Sequence, residues 1–243
     1  MRVRCPECPL RRLKTFRPLG EPQLVFLNDV KRGERRLEAG STLIHEGAAT
    51  REFYTLLEGM AFRYATLSDG RRQILNILMP GDLVGLQERL DGQSPHGVEM
   101  LTEGQVCAFP LEALWAIFRE QPELAYDVTW LASHEERMVD GNLLSVGRRS
   151  AAERVAMLLV HLYKRCEALG WRDEDGSVPF PLTQQHIADA LGLSLVHTNK
   201  TLRRLRAMGF CELQEGRLRL VQLSALQRVA DYYDEPVAPR PLL

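Results

Sequence analysis

Residues 183–210 read TQQHIADALGLSLVHTNKTLRRLRAMGF, and this stretch decides the fold of the second half of the chain. Thr183 is placed to cap a helix over Gln184 to Leu191, its hydroxyl accepting a free backbone N–H of the first turn. Ile187, Ala188 and Leu191 form the buried face of that helix, and Gly192 supplies a tight turn. Ser194 then caps a second helix, from Leu195 to about Met208. Ala188 is small where two helices must cross closely. This is the layout of a helix-turn-helix. The following CELQEGRLRLVQL, 211–223, reads as a hairpin around Glu215-Gly216, that is, a wing.

The second helix divides its faces. Thr198, Thr201, Leu202 and Leu205 turn inward, while Leu195, Val196, Asn199, Lys200 and Arg203 turn outward. From Thr183 to Leu220 there are six Lys or Arg against three acids, a local charge of +3 in a chain whose formal net charge is −1. Such a local basic surface suits a phosphate backbone. By chemistry, Asn199 suits adenine and Lys200 the O6 and N7 of guanine, while Leu195 or Val196 suits a thymine methyl. His197 suits a base or a phosphate. Thr183, Gln185, Arg203 and Arg217 are the candidates for backbone contacts, which set register without reading sequence. Winged helices also serve as protein-binding modules, but the basic, polar outward face favours nucleic acid.

Working outward, Ala151 to Leu162 is an amphipathic helix with Val155, Leu158, Leu159 and Leu162 on one face. GWRDEDGSVPF, 170–180, reads as a loop. Leu226 to Tyr233 reads as a short closing helix, and the Pro-rich 235–243 as a flexible tail. Upstream, from Val25 to Pro110, short apolar runs such as EFYTLL, AFRYATL and RQILNIL alternate with glycine turns, the pattern of a small barrel or sandwich. PLEALWAIF is a short helix. A long helix opens at Pro122 and runs to about Val146. Leu124, Val128, Leu131, Glu135, Met138 and Asn142 recur on it at spacings of four and three, close to a coiled-coil seam. That stripe either packs on its own barrel or pairs with a second copy; its polar members favour a selective seam between copies.

Composition bounds the rest. The chain has 243 residues, 45% hydrophobic, enough for one large or two modest domains. A near-neutral charge excludes a uniformly basic coat protein. No apolar run approaches membrane-spanning length, and the charged N-terminus lacks a signal peptide's apolar core, so a cytoplasmic protein is expected. Five cysteines, an odd number, argue against a disulfide framework. No phosphate-binding loop, nucleophile elbow, paired metal histidines or H-E-x-x-H occurs, so an enzyme is not expected. The rival of another class is an interaction scaffold that does not bind DNA.

Three blocks in order then carry a resemblance. The run from KRGERRLEAG through HEGAATREFYTLLEGM to MPGDLVGL resembles the effector β-roll of the Crp/Fnr family of bacterial transcription regulators. The Pro122 helix resembles its dimer helix, and 183–210 its winged helix-turn-helix. The resemblance covers about Val25 to Leu223 and is closer to the Fnr-like branch. It implies an α+β chain with an N-terminal extension carrying C-x-x-C (1–24), a cyclic-nucleotide-binding-like β-roll (25–121), a dimerisation helix (122–147), a DNA-binding domain (148–234) and a tail (235–243). It also implies a homodimer on inverted-repeat double-stranded DNA, acting through RNA polymerase.

The departures from the family matter. Where its recognition helix commonly carries Glu and, four residues on, Arg, this chain resembles it with Val196 and Lys200. Valine cannot accept a hydrogen bond from cytosine, and lysine lacks the rigid fork of arginine. Where the cyclic-nucleotide branch carries a ribose-binding Glu and an Arg-Ser phosphate pair, Leu86 and Pro95-His96 stand, so cyclic AMP is not expected. The oxygen-sensing branch uses four cysteines for an iron-sulfur cluster. Cys5, Cys8 and Cys107 match, but Lys14 stands where the remaining one is expected. The residues leave open a cluster, thiol redox chemistry, an unrecognised small ligand, or no sensed ligand at all. Arg4, Arg11 and Arg12 would lower the thiol pKa values if the fold brings them close. Haem through His45, His96 or Cys107 has no supporting motif.

Overall fold

The computed structural model describes residues 3–87, 92–233 and 239–243. The chain divides into two compact units. Unit 1 comprises Met1–Gly70, Asn76–Met138 and Ala238–Leu243, and unit 2 comprises Arg71–Leu75 and Val139–Val237.

Unit 1 begins with two short 3-10 turns, Cys5–Glu7 and Pro9–Arg12, and then helix α1, Glu21–Val30. Strands β1 (Gly33–Leu37), β2 (Thr42–Ile44), β3 (Glu52–Glu58), β4 (Ala61–Thr66), β5 (Arg72–Leu78), β6 (Leu83–Val84), β7 (Gly97–Met100) and β8 (Gly104–Pro110) follow. They form two four-stranded sheets, ordered β1-β8-β3-β6 and β2-β7-β4-β5. Alternate residues from both sheets close the core: Tyr54, Leu56 and Val106 meet Ile44, Ala61, Leu78, Val98 and Met100. The roll expected over 25–121 is therefore present, but its start is corrected. Val25 to Val30 is helical, because Pro22 fits the first turn of α1 and Leu27 is buried on its inner side.

Helix α2 (Glu112–Glu120) precedes the long helix α3 (Pro122–Arg148). Along the stripe expected to be a seam between copies, Leu124, Val128, Leu131 and Glu135 are packed within the chain, whereas Met138 is half-buried and Asn142 exposed. Leu124 is 0% exposed, and Val128 and Leu131 are buried. Glu135 is held by Arg63 at 2.8 Å and by Gln87 Nε2 at 2.5 Å. Leu131, Glu135 and Met138 line a small cavity with Asn76, Leu78 and Leu83 of the roll. Farther along, Asn142 donates to Leu75 O at 2.8 Å. Tyr126, Leu143 and Leu144 are instead the large exposed side chains of the helix.

Unit 2 contains α4 (Ala151–Ala168), β9 (Ser177–Pro179), α5 (Gln184–Leu191), α6 (Leu195–Ala207), β10 (Cys211–Gln214), β11 (Arg217–Leu220) and α7 (Leu223–Ala230). Ser150 and Glu153 form a reciprocal capping box at the start of α4. Val155, Leu159, Leu162, Ile187, Leu202, Leu205, Leu218 and Leu226 build the core. The closing helix lies three residues earlier than expected, since Asp231 takes a left-handed conformation (φ 52°) and stops it. The expected loop at 170–180 contains β9, which pairs with β11 and makes the wing three-stranded, in the order β10-β11-β9.

The tail is corrected in part. Residues 234–238 lie outside the described residues. Leu242 and Leu243 are buried and Arg240 is paired with Asp82, so the end of the chain is packed.

Candidate nucleic-acid interface

Two capped helices position this site. Thr183 Oγ1 accepts from His186 N at 3.1 Å, and Thr183 N donates to His186 Nδ1 at 3.2 Å. The side chain of His186 thus completes the box usually closed by Glu or Gln, a role that sequence reading missed. Gly192 takes φ +62°, the left-handed geometry that ends α5 and turns the chain. Ser194 Oγ then accepts from His197 N at 3.2 Å and starts α6. Thr198, Thr201, Leu202 and Leu205 are buried, as the periodicity requires. Thr201 spends its hydroxyl on His197 O at 2.8 Å.

That burial fixes the outward face. Val196 is 79% and Leu195 42% exposed, with His197, Lys200, Arg203 and Arg204 exposed beside them. Helix α6 carries four cations, Lys200, Arg203, Arg204 and Arg206, and no acid. Among the described residues none of the four has an ion-pair partner. An apolar tip followed by unpaired cations matches the division between base edge and phosphate.

Three candidates stand differently from expectation. Asn199 is partly buried and lines an open concavity of about 520 Å³ together with Thr183, Gln184, Arg203, Arg206 and the turn of the wing at Glu215-Gly216. Its Oδ1 is buried without a hydrogen-bond partner, so Asn199 is less available to a base edge than Val196 or Lys200. Arg217 is corrected: its Nε donates to Ser177 Oγ at 2.8 Å, its Nη2 to Ser177 O at 3.2 Å, and it pairs with Asp173. That guanidinium stabilises the β9–β11 edge and is not free for phosphate. Gln185 is exposed but donates to Asp189 at 2.7 Å.

Unit 1 tests the two cofactors suggested by the resemblance. For a cyclic nucleotide, the space between the sheets is packed by the apolar core. The nearby cation, Arg63, is committed to Glu135. His96 is buried, and burial together with Arg63 pushes its pKa down to about 4, so it is neutral. Leu86 offers nothing to a ribose. These residues do not fit the ligand.

For an iron-sulfur cluster, Cys5 and Cys107 do come together, but around an ammonium. Lys31 is buried, donates to Val3 O, pairs with Glu34 at 2.5 Å and stands 3.8 Å from Cys107 Sγ. Lys14, at the expected position of the missing cysteine, is exposed. Among the described residues no three His, Cys, Asp or Glu side chains are grouped to share a metal ion. Burial raises the thiol pKa of Cys5 against the lowering charges of Lys31 and then Arg11, and burial pushes Cys107 up to about 12. Three cysteines, with Lys14 in the place of the fourth and the Lys31 ammonium beside Cys107, do not fit a cluster held by four thiolates. For Lys31 itself, burial acts to lower the pKa, and the Glu34 hydrogen bond with the neighbouring thiols outweighs it, keeping the amine charged.

The fold and this face define a winged-helix DNA-binding transcription regulator, not an enzyme. Residues 34–121 match the cyclic nucleotide-binding domain and residues 153–229 the Crp-like helix-turn-helix domain. The chain is 29% identical over 226 residues to the nitrogen fixation regulation protein FixK of Bradyrhizobium diazoefficiens, covering 93% of both chains. It is 28% identical over 216 residues to the transcriptional activator protein FnrL of Cereibacter sphaeroides, covering 88% of this chain and 86% of that one. The structure of FixK2 from Bradyrhizobium japonicum superposes with a TM-score of 0.73 at 23% identity, covering 84% of this chain and 98% of that one. A Crp-family transcriptional regulator from Thermus thermophilus superposes with a TM-score of 0.69 at 26% identity, covering 83% and 98%. The chain belongs to the Crp/Fnr family. No helix among the described residues is long and apolar enough to cross a membrane.

Proposed function

We propose that this protein works in the cytoplasm as a homodimer that binds an inverted repeat in promoter DNA and regulates transcription through RNA polymerase. The observation that carries the reading is α6, a capped helix with an apolar tip and four unpaired cations. In each half-site Leu195, Val196, His197 and Lys200 meet base edges, while Arg203 and Arg204 meet phosphates. Asn199, partly buried, reads a base only after its side chain moves outward. The proposed dimer surface is the exposed side of α3, with Tyr126, Leu143 and Leu144, because Leu124, Val128 and Leu131 are buried within the chain. Two-fold symmetry then requires a pseudo-palindromic operator with half-sites one helical turn apart, or a multiple of it. Regulation neither by cyclic nucleotide nor by a four-thiolate cluster is supported by the residues in unit 1.

The test is selection from a random duplex pool with protein prepared free of metal and nucleotide, under air and under argon. Enrichment of the same palindrome in both supports the reading. Enrichment only after anaerobic iron loading overturns the treatment of the thiol pocket. Lack of any enriched sequence supports the scaffold alternative.

A further inference from the structure

We infer that unit 1 carries a peptide-binding groove whose ligand is the chain's own C-terminal segment, Pro239–Leu243. The groove recognises an arginine flanked by prolines and followed by two leucines.

The contacts are of a kind that reads sequence. Arg240 and Phe16 form a parallel β-bridge: Arg240 N donates to Thr15 O at 2.9 Å, and Arg17 N donates to Arg240 O at 2.9 Å. In Pro239-Arg240-Pro241 only Arg240 has a backbone N–H, and the bridge uses it. The flanking prolines hold the segment extended before it docks, which lowers the entropic cost of strand addition. The guanidinium reaches down a polar slot. Its Nη1 donates to Asp82 Oδ1 at 2.7 Å and its Nη2 to Pro80 O at 3.0 Å, and it stacks 5.0 Å from the centre of the Phe16 ring. Leu242 and Leu243 are buried, and Arg11 Nη1 donates to Leu242 O at 3.4 Å.

The receptor side is built independently of its ligand. Asp82 Oδ2 accepts from Met79 N at 2.9 Å, so the turn itself orients the carboxylate toward Arg240. Gly81 takes φ +88°, and a Cβ there would stand 2.3 Å from the Phe16 ring, so glycine is required for the ring that floors the slot. Asp82 and Arg240 are nearly buried, at 10% and 13% side-chain exposure, so loss of the arginine takes the cation away from a nearly buried carboxylate. The occupant comes from the far end of the chain: helix α7 belongs to unit 2, and residues 234–238 connect it to this segment.

The experiment is timed carboxypeptidase digestion of the full chain, followed by intact mass. The wild type should keep Leu242 and Leu243, whereas Arg240→Ala should lose them at least tenfold faster and Arg240→Lys at an intermediate rate. Far-UV circular dichroism checks that each variant is folded; if Arg240→Ala is not, Leu242→Ser takes its place. Equal digestion rates for wild type and a folded variant overturn the inference. In a second arm, fluorescein-labelled Pro-Arg-Pro-Leu-Leu is titrated into a chain ending at Ala238. Saturable binding is expected, at least tenfold weaker to the full chain and lost when the peptide arginine is alanine. Equal binding by the full and folded shortened chains overturns it. Protection that disappears on dilution to monomer would assign the tail to a second copy's groove and overturn the cis arrangement.

Discussion

Replacing Arg203 by alanine should change how DNA affinity depends on salt, by an amount that follows from counting charges on α6. The helix exposes four cations per chain, and a symmetric dimer presents eight. If all of them, Lys200 and Arg206 as well as the two phosphate cations, lie close enough to the backbone to displace a counterion, the slope of log K against log salt is about −7, at roughly −0.9 per charge. Raising KCl from about 50 to about 200 mM should then weaken binding by about 10⁴-fold. Arg203→Ala removes two contacts per dimer, so the slope should fall to about −5.4 and the same change in salt should cost about 10³-fold. Fluorescence anisotropy with a labelled operator duplex at four salt concentrations measures both slopes. The selected motif should stay the same, because Arg203 fixes position and not sequence. An unchanged slope in Arg203→Ala would refute its assignment to the backbone. A wild-type slope shallower than about −2 would refute the whole face. A wild-type slope near −3.6 that drops by about 0.9 in the variant would mean that a single chain binds.

Val196→Glu introduces an acceptor at the helix tip and should shift the selected half-site toward cytosine at one position, read by repeating the selection. Ser194→Ala removes the cap of α6 and should cost about 1 kcal/mol in urea unfolding. Lys31→Met leaves Glu34 buried without its partner and should cost about 3–5 kcal/mol, with Lys31→Met/Glu34→Gln losing less than the single variant. His96 has its folded pKa depressed from 6.5 to about 4, so the unfolded chain binds its proton first. Its contribution to stability is full above about pH 6.5 and is lost as the pH falls toward 4; His96→Asn should flatten the urea midpoint across that window.

The helix-turn-helix was legible because its signals are local. Thr183, Gly192 and Ser194 each act on backbone within three residues, and the buried face repeats every turn. What the α3 stripe packs on is not legible, for the opposite reason. A four-three spacing buries one face whether the neighbour is a second helix or a sheet, and the deciding partners of Glu135 are Arg63 and Gln87, far away in sequence. The start of the roll is not legible because Val25, Phe26 and Leu27 make a short apolar run that suits strand or helix alike, and Pro22 in the first turn of α1 is the local sign of the helix. Strand β9 has only three residues in a polar stretch and exists through its pairing with β11. Arg217 looked free because its partners, Asp173 and Ser177, sit in the stretch read as loop. In the thiol pocket the cysteines were visible, but not that Lys31 would stand among them.

The charge of α6 has a consequence for how the protein meets DNA at a distance. The chain totals −1 and α6 alone carries +4, so everything else sums to −5. Within a Debye length of about 8 Å at physiological salt, a duplex attracts this one helix, while the net charge of the rest of the chain is repelled. The electric field of the DNA therefore exerts a torque on the approaching protein and turns α6 toward the groove before contact. Misoriented encounters dissociate quickly, which shortens the search along non-specific DNA without any residue having to read a base.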